Sequence, residues 1–279
     1  MPSTGSSKLP LTNLKKYLLK YLKLTKLRNR TMSASGLTYL ITGANRGIGL
    51  GLLQTLVARP NTTVIAAVRD TAASSLKSVS VGQGSKLISV KLDASVEADA
   101  AAAAKELQTS HGITKVDVLI SNAGILDPAN ISPVAQTPVA AARKHIDINA
   151  LGPLALFQAF LPLLEKSSSP KFLSITSSIG SIGGMEDFPV PFFAYGVSKA
   201  TQNYLVRKIA FENPKLVSIA YNPGWVQTDM GNGAANGVGM DSAPLSIEDS
   251  VAALITQFDA ASLDKTGSFI AHTGEVLPW

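Results

Sequence analysis

The chain has 279 residues, 46% of them apolar and 16% charged, a composition with ample material for a large buried core and unlike that of a disordered chain. It has no cysteine, which excludes disulfides and thiolate metal sites, and its three histidines, His111, His145 and His272, are too scattered to suggest a metal cage. The formal charge of +6 is local: the first 31 residues hold Lys8, Lys15, Lys16, Lys20, Lys23, Lys26, Arg28 and Arg30 and no acid, while the rest carries 17 basic against 19 acidic residues, so nothing in the body asks for a nucleic-acid partner.

That basic N-terminus comes first in the chain. Leu11, Leu14, Leu18, Tyr21 and Leu22 fall at helical spacing, with Lys16, Lys20 and Lys23 largely opposite. A basic amphipathic helix of this kind lies on an anionic membrane surface, giving peripheral contact through residues 1–31, or serves as an organelle-targeting segment. The same residues also read as a mobile extension, or as an upstream start with Met32 the working initiator. Lysines interrupt any apolar run of a secretory signal. The lack of disulfides fits a reducing compartment, and the expected location is cytoplasmic. We divide the chain into an extension, 1–33, and one domain, 34–279.

Beyond the extension the chain alternates. Leu37–Thr42 is a short apolar run ending in a glycine-rich turn, and a helical segment follows from Ile48 to Ala58. Strands are predicted at Thr63–Val68, Leu87–Leu92, Val116–Ile120, Phe172–Ile175, Val217–Tyr221 and Phe269–Ile270, with an alanine-rich helix over Ser95–Leu107, a long helix from Pro138 into the low 160s bent at Pro153, and another over Tyr195–Phe211. Strands alternating with helices, each strand a continuous apolar run, predict a doubly wound α/β fold of the Rossmann type, with helices on both faces of a parallel sheet. The longest uncharged stretch, Ile148–Leu164, is 17 residues and carries Asn149, Gly152, Pro153 and Pro162, so no membrane span is expected. Trp225–Pro244, rich in Gly, Asn and Ala, reads as a mobile lid.

The first strand feeds Thr42-Gly43-Ala44-Asn45-Arg46-Gly47-Ile48-Gly49. Glycines let the backbone turn sharply and approach a pyrophosphate, which sits on the following helix N-terminus. The second strand ends in Val68-Arg69-Asp70, where a doubly wound fold meets the adenosine ribose. An acid at the strand end suits NAD; here Val68 stands there, and Arg69 and Arg46 suit the 2′-phosphate of NADP, with Asp70 as a counter-signal. Asp93 after the third strand either accepts from the adenine amino group or caps the next helix. Asn122-Ala123-Gly124 ends the fourth strand, where small residues let a cofactor pass.

Tyr195-Gly196-Val197-Ser198-Lys199 places a phenol and an ammonium on one helix face. Tyrosine alone titrates near about 10, and a neighbouring cation stabilises its phenolate, which makes it a usable acid or base. Ser177-Ser178 follows the fifth strand, at the carboxyl edge where such folds bind ligands.

From Thr38 onward, the ordered set TGANRGIG, Asn122-Ala123-Gly124, Asn149, the serine, YGVSK and Asn222-Pro223-Gly224 resembles the short-chain dehydrogenase/reductase family. The resemblance implies a seven-stranded parallel sheet, NADP (NADPH) or NAD as cofactor, a small-molecule substrate, no metal, and homodimers or homotetramers. It implies that Tyr195 donates the proton in reduction, Lys199 holds the nicotinamide ribose and lowers the Tyr pKa, Ser178 bonds the substrate carbonyl, and Asn149 supports a water that relays protons through Lys199. Ser178 is favoured over Ser177 because the family's serine is usually the second of such a pair. Beyond Pro223 and Gly224, Val226 and Thr228 are implied to contact the nicotinamide carboxamide. Ser121 replaces the first of two asparagines frequent in the family, and the Ser178-to-Tyr195 gap is longer than usual, implying an enlarged loop.

Further segments, ITGANRGIGLGLL, AYGVSKATQNYLVRK, GWVQTDMGNGAA and HTGEVLPW, resemble fungal ketoreductases of the norsolorinic acid ketoreductase type, which act in secondary metabolism and are similar to carbonyl reductases. These imply NADPH and a bulky aromatic or polyketide ketone. Phe188, Phe192, Phe193, Trp225, Met230 and Met240 either line an apolar pocket for such a ketone or pack a lid. Two rivals stay open: an alcohol dehydrogenase running oxidatively with NAD, and a non-catalytic cofactor-binding sensor.

Overall fold

Strands covered on both faces are rich in apolar residues, and seven strands build one parallel sheet. The computed structural model describes residues 36–279; the expected amphipathic segment and the boundary at 33/34 lie outside the described residues. The strands are β1 (Thr38–Thr42), β2 (Thr63–Val68), β3 (Lys86–Lys91), β4 (Val118–Ser121), β5 (Lys171–Ile175), β6 (Val217–Asn222) and β7 (Phe269–Ala271). Their order is β3-β2-β1-β4-β5-β6-β7, every pairing parallel. This is the doubly wound fold, with the order reversing between β1 and β4.

Period-2 side-chain alternation assigns the two faces. Ile41, Ile120, Ile175 and Ile219 meet Leu52 and Leu56 of α1 (Gly47–Val57) and Val251 and Leu254 of α8 (Ile247–Asp259). Leu40, Leu119, Phe172 and Ala220 meet α3 (Glu97–Ser110), α5 (Gly152–Leu164) and α6 (Phe193–Glu212). Each fully buried side chain of Leu or Phe size contributes roughly 1.5–3 kcal/mol. The remaining helices are a single turn, α2 (Ser74–Lys77), then α4 (Val139–Ile146) and α7 (Asp229–Gly237).

Three local features differ from expectation. The long helix is interrupted before Pro153: a π-helical turn, Asp147–Leu151, separates α4 from α5, and the Gly152 N–H reaches back five residues to the Asp147 carbonyl. Proline has no N–H, and its ring crowds the carbonyl four residues earlier, here that of Asn149. The π turn absorbs this conflict. The segment read as a lid contains α7, N-capped by Thr228, whose hydroxyl accepts from Gly231 N at 3.0 Å; Trp225 Nε1 donates to the Gly231 carbonyl at 2.8 Å, and Asn232 Oδ1 accepts from Ala243 N at 3.0 Å. Helix α8 was not anticipated, although Ser246 and Asp249 form the reciprocal cap that announces one. By length and composition Val139–Leu164 is apolar enough to cross a bilayer, but Leu156, Phe157, Phe160 and Leu164 on its inner side belong to the core.

At the amino edge of the sheet, buried Asp117 ties three segments together. Its carboxylate accepts from Thr38 N at 2.9 Å, Lys115 Nζ at 2.8 Å and Ser167 Oγ at 2.6 Å. Removing the carboxylate strands buried donors. We expect Asp117→Ala to lower unfolding free energy in urea by about 2–4 kcal/mol, with cofactor affinity in the folded fraction unchanged; a loss under about 0.5 kcal/mol, the range of ordinary surface changes, would refute the tie.

Candidate active site

A groove runs across the carboxyl ends of β1 to β6, and the turn after β1 forms its floor. Gly43 and Gly47 adopt φ of 66° and 53°, conformations that favour glycine. Gly49 has a different reason: a Cβ there would stand 2.3 Å from the Gly43 carbonyl oxygen and 2.5 Å from Asn122 Nδ2. The turn is held from β4. Thr42 Oγ1 accepts from the N–H groups of Asn122 and Ala123, both at 3.0 Å, and Asn122 Nδ2 donates to the Thr42 and Gly43 carbonyls at 2.9 and 3.3 Å.

The groove collects most of the residues singled out from sequence: Gly43, Asn45, Arg46, Gly47, Ile48 and Gly49 from the first turn, Arg69 and Asp93 from the next two strand ends, Asn122, Ala123 and Gly124 after β4, and Tyr195, Lys199, Pro223 and Thr228 on the far side. Asp70 is absent from the lining; its carboxylate accepts from Ala72 N at 2.9 Å and is spent on its own turn. Arg69 therefore faces the groove without the competing acid. Arg46 pairs with Asp229 at 3.3 Å across the mouth, both side chains well exposed, a contact weak enough to be exchanged for a ligand. Asp93 lines the groove but does not cap the next helix, whose N-cap is Val96; its carboxylate accepts from Ser95 N and Oγ at 2.9 and 2.7 Å, bonds that hold its carboxyl below the usual range.

Gly224 and Val226 do not line the groove. Gly224 makes a positive-φ turn (82°) against Leu245 and His272, and Val226 is buried, bridging to Leu245. Thr176 and Gln227, which no sequence motif marks, do line it. Thr176 Oγ1 is buried without a protein partner, a polar atom waiting at the groove wall. Of the six apolar candidates, Met230 lines the groove, while Phe192 is buried edge-on to Trp225 with ring centroids 6.4 Å apart.

The reacting groups converge on α6. Gly180 packs its backbone on that helix, where a Cβ would lie 2.6 Å from the Lys199 carbonyl carbon, so the turn after β5 comes close enough to bring a serine to the phenol. The serine beside the phenol is Ser177, where Ser178 was expected. The Ser177 side chain faces the Tyr195 hydroxyl and caps the 3₁₀ turn Ser178–Gly180 by accepting from Ile179 N at 3.2 Å. Ser178 is buried inside that turn. The reason is geometric: Ser177 is the last extended residue, and the chain coils from the next position on.

Burial pushes the Tyr195 phenol up to about 12, with the Ser177 bond pulling the other way, and burial brings the Lys199 ammonium down to about 7. Lys199 Nζ lies 5.6 Å from the Tyr195 ring centroid and donates to the Ile175 carbonyl at 3.1 Å and to Gln202 Oε1 at 2.7 Å. Asn149 is wholly buried and does not line the groove; its amide exchanges bonds of 2.8 and 2.7 Å with the backbone of Ile125 and donates to Ser198 Oγ at 2.9 Å, fixing the loop after β4. The loop after Ser177 is anchored at its far side. Ser181 Oγ donates to the Pro278 carbonyl at 2.7 Å and Gly183 N to that of Trp279 at 2.6 Å, while Trp279 stacks on Phe269.

The sequence that builds this groove matches the family model for short chain dehydrogenases over residues 38–239. The chain belongs to the short-chain dehydrogenase family. Among its relatives are proteins named norsolorinic acid ketoreductase from Dothistroma septosporum, 43% identical over 87% of this chain and 92% of that one, and from Aspergillus parasiticus, 41% identical over 86% and 90%. The solved structure of NADPH-bound carbonyl reductase from chicken fatty liver superposes with a TM-score of 0.74 at 26% identity, covering 88% of this chain and all of that one.

We expect Gly49→Ala to force the first turn off Asn122 and to weaken nicotinamide-cofactor binding by at least about tenfold, read by fluorescence titration, since overpacking against backbone costs roughly 1–3 kcal/mol. Wild-type affinity in this variant would show that the turn does not form the cofactor floor.

Proposed function

We propose that this chain is an NADPH-dependent ketone reductase, converting a ketone to a secondary alcohol. The observation that carries the reading is the Ser177–Tyr195–Lys199 constellation at the end of a groove whose ribose corner presents Arg69 while Asp70 is turned away. The groove suits the dinucleotide: the glycine turn packs closely on the fourth strand end and lines the groove with backbone, and Arg46 and Arg69 supply cations for a 2′-phosphate. Bound there, the dihydronicotinamide supplies a hydride to the carbonyl carbon. Tyr195 gives its proton to the carbonyl oxygen, and Ser177 donates a second hydrogen bond to that oxygen as charge develops. A phenol held near 12 stays protonated at neutral pH, which favours the direction of reduction. Lys199 places a positive charge under the phenol and so stabilises the phenolate left behind. The names of the relatives favour an aromatic polyketide ketone as the substrate class.

The test is oxidation of NADPH against NADH over a panel of aromatic and aliphatic ketones. We expect turnover with NADPH and bulky aromatic ketones, a loss of at least about a thousandfold in Tyr195→Phe, and a larger kcat loss in Ser177→Ala than in Ser178→Ala. Arg69→Ala should raise the KM for NADPH about tenfold or more and leave that for NADH nearly unchanged, as loss of a charged hydrogen bond implies. Because the ammonium form of Lys199 is lost as pH rises through about 7, the rate of reduction should decline on that side. Tight NADPH binding without turnover on any ketone would favour a sensor instead.

A further inference from the structure

Gln202 lies one turn beyond Lys199 on α6 and is wholly buried, an unusual place for a side chain with four hydrogen-bonding sites. Its contacts account for it. Nε2 donates to Ser174 Oγ at 2.8 Å and to the Ile175 carbonyl at 3.4 Å, and Oε1 accepts from Lys199 Nζ at 2.7 Å. The acceptors on the β5 side fix which way the amide points: its NH₂ donates to them, so its oxygen faces the ammonium. No carboxylate pairs with Lys199 among the described residues.

The surroundings are otherwise neutral on every side. On α6 the titratable neighbour is Tyr195; β5 offers the Ile175 carbonyl; Gly124 after β4 and Asn149 in the π turn close the remaining sides without charge, the position of a Gly124 Cβ being 3.6 Å from Nζ and 3.0 Å from Asn149 Oδ1. A buried cation with no counter-ion is held by dipoles alone. Two of the three ammonium donors are used on Ile175 and Gln202, and Lys199 also lines the groove, so a third is left for it.

We propose that Gln202 is a positioning residue for the reduction: its oriented amide anchors the Lys199 ammonium beneath the Tyr195 phenol and supplies the fixed dipole that faces its charge. This rests on the Tyr195–Lys199 reading of the site. Gln202 touches neither substrate nor cofactor and acts through Lys199.

The test uses the full-length protein carrying ¹³C-labelled lysine, with the Lys199 ¹³Cε resonance assigned by Lys199→Arg and titrated by NMR without cofactor. The pH profile of kcat for ketone reduction is recorded beside Tyr195→Phe. Gln202→Met keeps the volume and removes the acceptor; the Lys199 midpoint should fall by about one unit or more, and the alkaline limb of kcat should move with it. Gln202→Glu, which places a carboxylate at the same atom, should move both upward. Opposite shifts are outside the reach of a packing role, which would lower Tm in both variants and leave the midpoints in place. Unchanged midpoints, or shifts of the same sign, overturn the proposal. Should Gln202→Met not fold, the direction of the Gln202→Glu midpoint decides alone. Wild-type rates in Tyr195→Phe would sink the catalytic reading, while the NMR midpoints still judge the Gln202–Lys199 contact separately.

Discussion

β1 and β4 are neighbours in the sheet, yet their chains leave toward opposite faces, and the site depends on what keeps their ends together. Thr42 and Asn122 do this with four hydrogen bonds across the gap. Without them the diverging loops would expose unpaired backbone groups to the groove. With them, the first turn is pinned to the fourth strand end, and the two halves of the groove become one rigid surface. A ligand crevice at a strand-order reversal is therefore a consequence of topology, but its shape is set by one threonine and one asparagine.

The second half of the site follows a different logic. The first turn is a matter of backbone shape, and α6 is a matter of charge. A phenol and an ammonium sit together on the groove wall, each pushed by burial toward its neutral form. Such a pair is costly to assemble and poorly suited to any purely structural duty. The buried amides around it are engaged too, Asn149 with backbone and hydroxyl partners and Gln202 with these and the Lys199 ammonium, so they hold geometry without adding charge.

The element order was legible because each parallel strand is a run of apolar residues and each connection carries a helix. The glycine turn and YGVSK were legible through their order along the chain, which resembles a known family, since neither spacing alone singles out a cofactor or a catalytic pair. Choices between adjacent residues were not. Ser177 and Ser178 are equivalent in sequence, and which one meets the phenol depends on where the strand stops being extended. Arg69 and Asp70 pose the same problem, solved by a turn that consumes the acid. Gln202 reads as an ordinary helix-surface residue until its burial is known, and α8 was passed over although its cap is written in Ser246 and Asp249.

The interrupted helix around Asn149 has a consequence for anyone who would stabilise this protein. Pro153 and the π turn look like a defect, and the usual remedy is to restore a regular helix with alanine. Regularity there would return the Asn149 carbonyl to the intrahelical ladder and shift the register of every residue before it by a fraction of a turn. The amide now locked to Ile125 would rotate away, and the loop after β4 would lose its anchor. The irregularity is thus a fixed phase offset between two helical segments, and a sequence optimised for helix propensity alone would erase it.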